Sequence, residues 1–101
     1  MAQVIWTGPA LNDLDAIADY IAIEDSAAAA GLVQRVFKHV GLLERQPESG
    51  SRPPELKRSR YRQIVESPCR VFYRYDGDKV FVLFGMRVEQ LLRIGELVSR
   101  G

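Results

Sequence analysis

The sequence predicts an α+β fold of order β-α-α-β-β-β, with an antiparallel helix pair packed on one face of a small, mainly antiparallel sheet. Three observations predict it. Residues 61–87, YRQIVESPCRVFYRYDGDKVFVLFGMR, read as three strands joined by two tight turns. Residues 10–24 and 27–45 repeat their apolar side chains at helical spacing. Residues 3–6 add a short segment rich in β-favouring Val4, Ile5 and Trp6.

The elements follow in order. After the first strand, Thr7-Gly8-Pro9 is a helix entrance, with a capping residue followed by a proline in the first turn, where its missing N–H costs nothing. Ala10, Leu14, Ile17, Ala18 and Ile21 then form one apolar face, with Asp13, Asp15 and Asp19 predicted on a solvated opposite side, near the positive end of the helix dipole. Asp25-Ser26 caps the second helix, whose stripe is Leu32, Val33, Val36, Val40 and Leu43 with Phe37 beside it. Gly31 and Gly41 suit a close approach of the two helices. His39, the only histidine, is expected at or near the surface. Three prolines and a glycine in residues 46–54 make a loop. Residues 89–100 form a short amphipathic C-terminal helix or a tail, Gly95 weakening the helix.

In the meander, the turns are expected at residues 66–69 and at Asp76-Gly77. The second turn pairs Arg74 with Lys79, Phe72 with Phe81 and Arg70 with Leu83. Strand alternation then sets Arg70, Phe72, Arg74, Phe81, Leu83, Gly85 and Arg87 on an open face. Val71, Tyr73, Tyr75, Val80, Val82, Phe84 and Met86 lie on the face that packs against the helices. Arg62 counts back to the side of Val71 and Tyr73. Residues 81–86 are apolar on both sides, the pattern of a central strand.

A chain of 101 residues, 47% hydrophobic and 27% charged, is expected to be one domain spanning 1–101. It has no apolar run near the ~20 residues of a membrane helix and no signal-peptide pattern, so the expected location is the cytoplasm, away from the membrane. Cys69 is alone and has no histidine neighbour in sequence, which makes it a packing or exposed thiol. Nothing resembles a metal cluster, a nucleotide loop or a nucleophile triad, and no cofactor is expected. The net charge of +1 conceals a division: residues 1–34 carry five acids and no Lys or Arg, whereas segment 52–74 carries seven bases against two acids. A basic surface facing an acidic partner, protein or nucleic acid, is one reading, and an unevenly charged solvated surface is the other.

Three stretches, VIWTGPALNDLDAIADYIA, QPESGSRPPEL and YRQIVESPCRVFYRYDGDKVFVL, together with Met86-Arg87, resemble the ParE branch of the RelE/ParE toxin superfamily from Val4 to about Leu92. The resemblance implies a toxin held by a cognate ParD-like antitoxin that lays an amphipathic helix and an extended segment on the helix pair and sheet. In the RelE branch such a fold cuts mRNA in the ribosome, using lysines, arginines and a tyrosine near the C-terminus. Arg70 matches the strand arginine and Arg87 the arginine after the last strand. The lysine pair falls among residues 61–64, where no lysine stands, and the tyrosine falls near Arg93.

Arginine stays protonated throughout the usable pH range, so Arg62, Arg70 and Arg87 lack an acid or base for the cleavage. The resemblance therefore favours the ParE branch, described as poisoning DNA gyrase by binding, with no catalytic residues and no sequence-specific nucleic-acid binding alone. Its expected target- or antitoxin-binding surface is Arg62, Arg70, Phe72, Arg74, Phe81 and Arg87. A ribosome-dependent mRNA interferase built on Arg62, Arg70 and Arg87, and a non-toxic module that only binds an antitoxin, are the alternatives.

Overall fold

A computed structural model describes residues 1–101. The elements are β1 (Gln3–Trp6), α1 (Gly8–Ala22), α2 (Ser26–Gly41), β2 (Tyr61–Glu66), β3 (Cys69–Tyr75), β4 (Lys79–Arg87) and α3 (Ile94–Ser99), with 3-10 turns at Leu42–Glu44 and Pro54–Leu56. The expected element order and the short C-terminal helix are both present.

Local sequence explains the helix starts. The Thr7 hydroxyl accepts from the Ala10 N–H at 3.4 Å and donates to the Val82 carbonyl at 2.7 Å, so one residue caps α1 and fastens it to β4. Asp25 caps α2 by accepting from the Ala28 N–H at 2.9 Å. Ala10, Leu14 and Ile17 of α1 and Ala29, Leu32, Val36 and Val40 of α2 are buried. The glycines do not mediate helix contact: a methyl at Gly41 would meet nothing within 4 Å, and one at Gly31 only Arg35 of its own helix.

The sheet order is β1-β4-β3-β2, with β1 parallel to β4 and the other neighbours antiparallel. β4 is central, as its two-sided apolar run requires. The first meander turn and the side taken by Arg62, opposite Tyr73, agree with the sequence.

The second hairpin departs from the expected register in two ways. Its turn is centred on Gly77-Asp78, because the Asp76 carboxylate accepts from the N–H groups of Asp78 at 3.0 Å and Lys79 at 2.7 Å. Gly77 takes φ +96°, which only glycine adopts freely. Arg74 therefore pairs with Phe81, not Lys79. That two-residue shift leaves the faces unchanged. Leu83 is then an extra residue in β4, since Tyr73 pairs with Val82 but Phe72 with Phe84. The bulge reverses the parity of everything after it. Arg70 pairs with Met86 rather than Leu83, and Cys69 with Arg87. Gly85 and Arg87 consequently face α1, whereas Phe84 and Met86 move to the opposite face.

That opposite face is not open. Tyr61, Phe72, Leu83, Phe84, Met86 and Leu97 form a second buried cluster, flanked by Leu56, Phe81 and Leu92. Phe72 and Leu97 are both 0% exposed. A six-residue helix is unstable alone, so α3 is held by this burial, with a fully buried leucine contributing about 1.5–3 kcal/mol.

Candidate functional site

Four arginines of the meander reach the surface from different sides of the sheet. Arg70 and Arg74 leave the face covered by α3, while Arg62 and Arg87 leave the helix side. Arg62 stands opposite Tyr73 and Arg87 opposite Cys69, four residues apart along β3, which is roughly 13 Å. The set does not converge.

Each guanidinium also has its own local partner. Arg70 grips Glu55 through two contacts of 2.9 Å, donates to Gln63 Oε1 at 2.9 Å and lies 4.8 Å over the Phe72 ring. This fork holds the Glu55 carboxyl below the usual carboxylate range. Arg62 donates to the Gly50 carbonyl at 3.0 Å and approaches Glu48 at 3.6 Å. Arg87 lies 3.8 Å over the Tyr20 ring of α1, with Glu89 Oε1 2.7 Å from its Nε. That Nε makes no aligned hydrogen bond, so the Glu89 contact is an ion pair alone. Arg74 has no carboxylate partner within 4.0 Å and stacks 4.6 Å over Phe81. Of the expected surface residues, Phe72 is wholly buried and offers nothing to a partner, and Phe81 is half-buried beneath Arg74.

The proton-carrying groups beside these arginines, Glu55 at Arg70, Glu48 at Arg62 and Glu89 and Tyr20 at Arg87, each stand with one arginine alone and are as dispersed as the arginines are. The thiol of Cys69 is fully buried and burial pushes it up to about 11. Burial also raises Tyr73, whose hydroxyl donates to the Pro47 carbonyl at 2.8 Å and accepts from the Gly50 N–H at 3.0 Å. His39 is spent on Glu66 at 2.8 Å, where α2 meets the first meander turn. No three His, Cys, Asp or Glu side chains come together as metal ligands would.

Three contacts, of Asp13 with Gly85, Arg100 with Leu83 and Arg100 with Asp13, are invisible to any local reading. β1 ends opposite Val82, which leaves the following stretch of β4 without a strand neighbour on that side. Side chains fill the edge instead: Asp13 accepts from the Gly85 N–H at 3.0 Å, Gln90 from the Arg87 N–H at 2.9 Å, and Arg100 donates to the Leu83 carbonyl at 3.1 Å. Arg100 also pairs with Asp13 and with Glu96, tying α1, β4 and α3 together. Asp13 is thus a structural acceptor rather than part of a solvated acidic face, and none of the α1 acids lies in the first turn. A cleft of about 300 Å³ runs beside this edge, lined by Ala16, Ile17, Gly85, Arg87, Leu91 and Arg93 among others.

The exposed apolar side chains lie elsewhere than the arginine-rich loop. They include Leu11 and Tyr20 on α1 with Ile23 just after it, Phe37 and Leu42 on and after α2, and Val88, Leu91 and Ile94 beyond β4.

Known proteins share this sequence and fold. Residues 4–89 match the family model of the ParE toxin of the type II toxin–antitoxin system parDE. The Sinorhizobium fredii protein Y4kP is 36% identical over 88 residues, covering 87% of this chain and 90% of its own length. Toxin RelE2 of Caulobacter vibrioides is 37% identical over 78 residues, covering 77% of this chain and 84% of its own. A solved chain of the chromosomal ParDE TA system from P. aeruginosa superposes with a TM-score of 0.73 at 26% identity, covering 88% of this chain and 98% of that one. Fold, length and sequence agree, and the chain belongs to the ParE toxin family of type II toxin–antitoxin systems.

Proposed function

We propose that this toxin acts by binding, with DNA gyrase as its target, and that a ParD-like antitoxin neutralises it. The observation that carries the reading is the dispersal of the arginines. An RNA-cleaving site needs charge stabilisation and proton transfer focused on one phosphate. Here Arg70 and Arg87 leave opposite faces of the sheet, and Arg70 is already satisfied by Glu55 and Gln63. What remains accessible is a surface for macromolecular contact.

The antitoxin belongs on the apolar side chains of the helix pair. Tyr20 on α1, Ile23 just after it, Phe37 on α2 and Leu42 just after that helix present anchors for an amphipathic segment. Arg87, stacked on Tyr20, borders that surface and suits an acidic residue of the partner. The gyrase reading is tested by supercoiling of relaxed plasmid with purified gyrase and increasing toxin. Inhibition that the antitoxin relieves is expected, and unchanged supercoiling at a large molar excess of toxin rejects it.

A further inference from the structure

Of the fourteen Lys and Arg residues, Arg35, Arg62, Arg70, Arg87 and Arg100 stand in ion pairs with carboxylates. Arg52, Lys57, Arg58 and Arg60 do not, and all four fall in one nine-residue stretch and are exposed. The stretch contains one acid, Glu55, whose carboxylate is taken by Arg70. Arg74, also without a carboxylate partner, extends the group across the strand: it pairs with Tyr61, and both its guanidinium and that of Arg60 adjoin Gly101.

The stretch is an ordered lobe rather than a loose tail. Pro53 is fully buried, Leu56 packs on the second cluster and Pro54–Leu56 is a 3-10 turn. The Arg52 guanidinium donates back to the Ser59 carbonyl, Ser59 Oγ donates to the Leu56 carbonyl at 2.7 Å, and the Tyr61 N–H donates to Ser59 Oγ at 3.2 Å. The backbone that carries the charges is therefore ordered, so binding has only exposed side chains left to order.

We propose that this lobe is a binding surface for the phosphodiester backbone of duplex nucleic acid, taken without reading of sequence. Two features favour this ligand. Protein interfaces draw their affinity from buried aromatic and aliphatic anchors. No exposed large apolar side chain lies in residues 46–61, so a protein partner finds charge there but no anchor. Single strands are held by aromatic stacking. Tyr61 is only 5% exposed and the exposed aromatics, Tyr20 and Phe37, are on the helices. A cluster of cations on an ordered backbone, lacking both features, fits the closely spaced charges of a duplex backbone. The exposed apolar side chains of the helix pair and this basic stretch lie on different segments of the chain. The inference concerns nucleic acid alone and does not depend on gyrase being the target.

The test is fluorescence anisotropy of a labelled mixed-sequence DNA duplex with the full chain, repeated from low to physiological salt. Binding with a dissociation constant on the order of 10⁻⁴–10⁻⁶ M at physiological salt is expected, tightening as salt falls. The variant Lys57→Gln/Arg58→Gln removes two cations that make no hydrogen bond or ion pair in the fold, so folding is left intact. It should lower the slope of log K against log salt by about 1.8, whereas Lys38→Gln/Arg45→Gln should leave it unchanged. Absence of binding at low salt, or an equal slope in both variants, overturns the proposal. Tighter binding of single strands overturns the duplex assignment. Displacement by polyglutamate as effective as by duplex at matched charge assigns the lobe to an acidic protein instead.

Discussion

Arg70 and Glu55 form a two-pronged ion pair, each nitrogen–oxygen distance 2.9 Å, with only 11% of the arginine side chain exposed. The pair joins β3 to the Pro54–Leu56 turn and thereby holds the basic lobe against the sheet. Glu55→Gln leaves a largely buried guanidinium without its carboxylate and should cost about 1–3 kcal/mol in chemical denaturation.

The same pair predicts a pH dependence. The folded Glu55 carboxyl sits below its ordinary value of 4.5, so its stabilisation is present above that pH and is lost as pH falls through the folded value. Wild type should therefore lose its advantage over Glu55→Gln progressively below about pH 4.5, read from thermal melts of both proteins. An advantage that persists unchanged to strongly acid pH contradicts the assignment.

Tyr73 explains why the loop before β2 is ordered. Its hydroxyl joins the Pro47 carbonyl and the Gly50 N–H, and a methyl added at Gly50 would stand 2.6 Å from that oxygen and 2.7 Å from the Gln63 carbonyl. Tyr73→Phe should cost about 1–3 kcal/mol, and Gly50→Ala a similar amount by overpacking, both measured by urea unfolding.

Asp13 and Arg100 are 87 residues apart in sequence and fasten the C-terminal helix to α1. Asp13→Ala and Arg100→Ala should each speed hydrogen exchange at the Leu97 amide. The double variant should add little to either, giving a coupling of about 0.5–3 kcal/mol in the double-mutant cycle.

Cys69 should be silent to thiol reagents while the chain is folded. It is fully buried and raised to about 11, so at pH 8 almost no thiolate exists to react. Iodoacetamide labelling should track global unfolding in denaturant, and rapid labelling of native protein contradicts the packing.

What was legible in the sequence depended on neighbours along the chain. Thr7 and Asp25 cap helices three residues away, and the stripes Ala10-Leu14-Ile17 and Leu32-Val36-Val40 follow from helical geometry. The elements and their order were therefore readable. The second hairpin was not, because one carboxylate, Asp76, moved the turn and one extra residue, Leu83, reversed the end of β4. Arg87 changed face for that reason alone. Likewise, the burial of Phe72 depends on Leu97, twenty-five positions on in a helix that Gly95 made locally weak. Arg70 had a correct face but an unforeseen partner, since Glu55 lies in a different element. Charge was the reverse case: the basic stretch 52–60 was plain in the sequence, and the structure added that none of its cations pairs with a side-chain carboxylate, Arg52 and Arg60 donating to main-chain oxygens instead.

The measurement that bears most directly on a binding rather than cleaving toxin is the integrity of mRNA in translating ribosomes given the purified chain. With its arginines divided between two faces, and the carboxylates beside them divided likewise, the message should stay intact at toxin concentrations that inhibit growth. Cleavage of the message by wild type that is lost in Arg87→Ala would contradict it, and would require Arg70 and Arg87 to meet on one substrate.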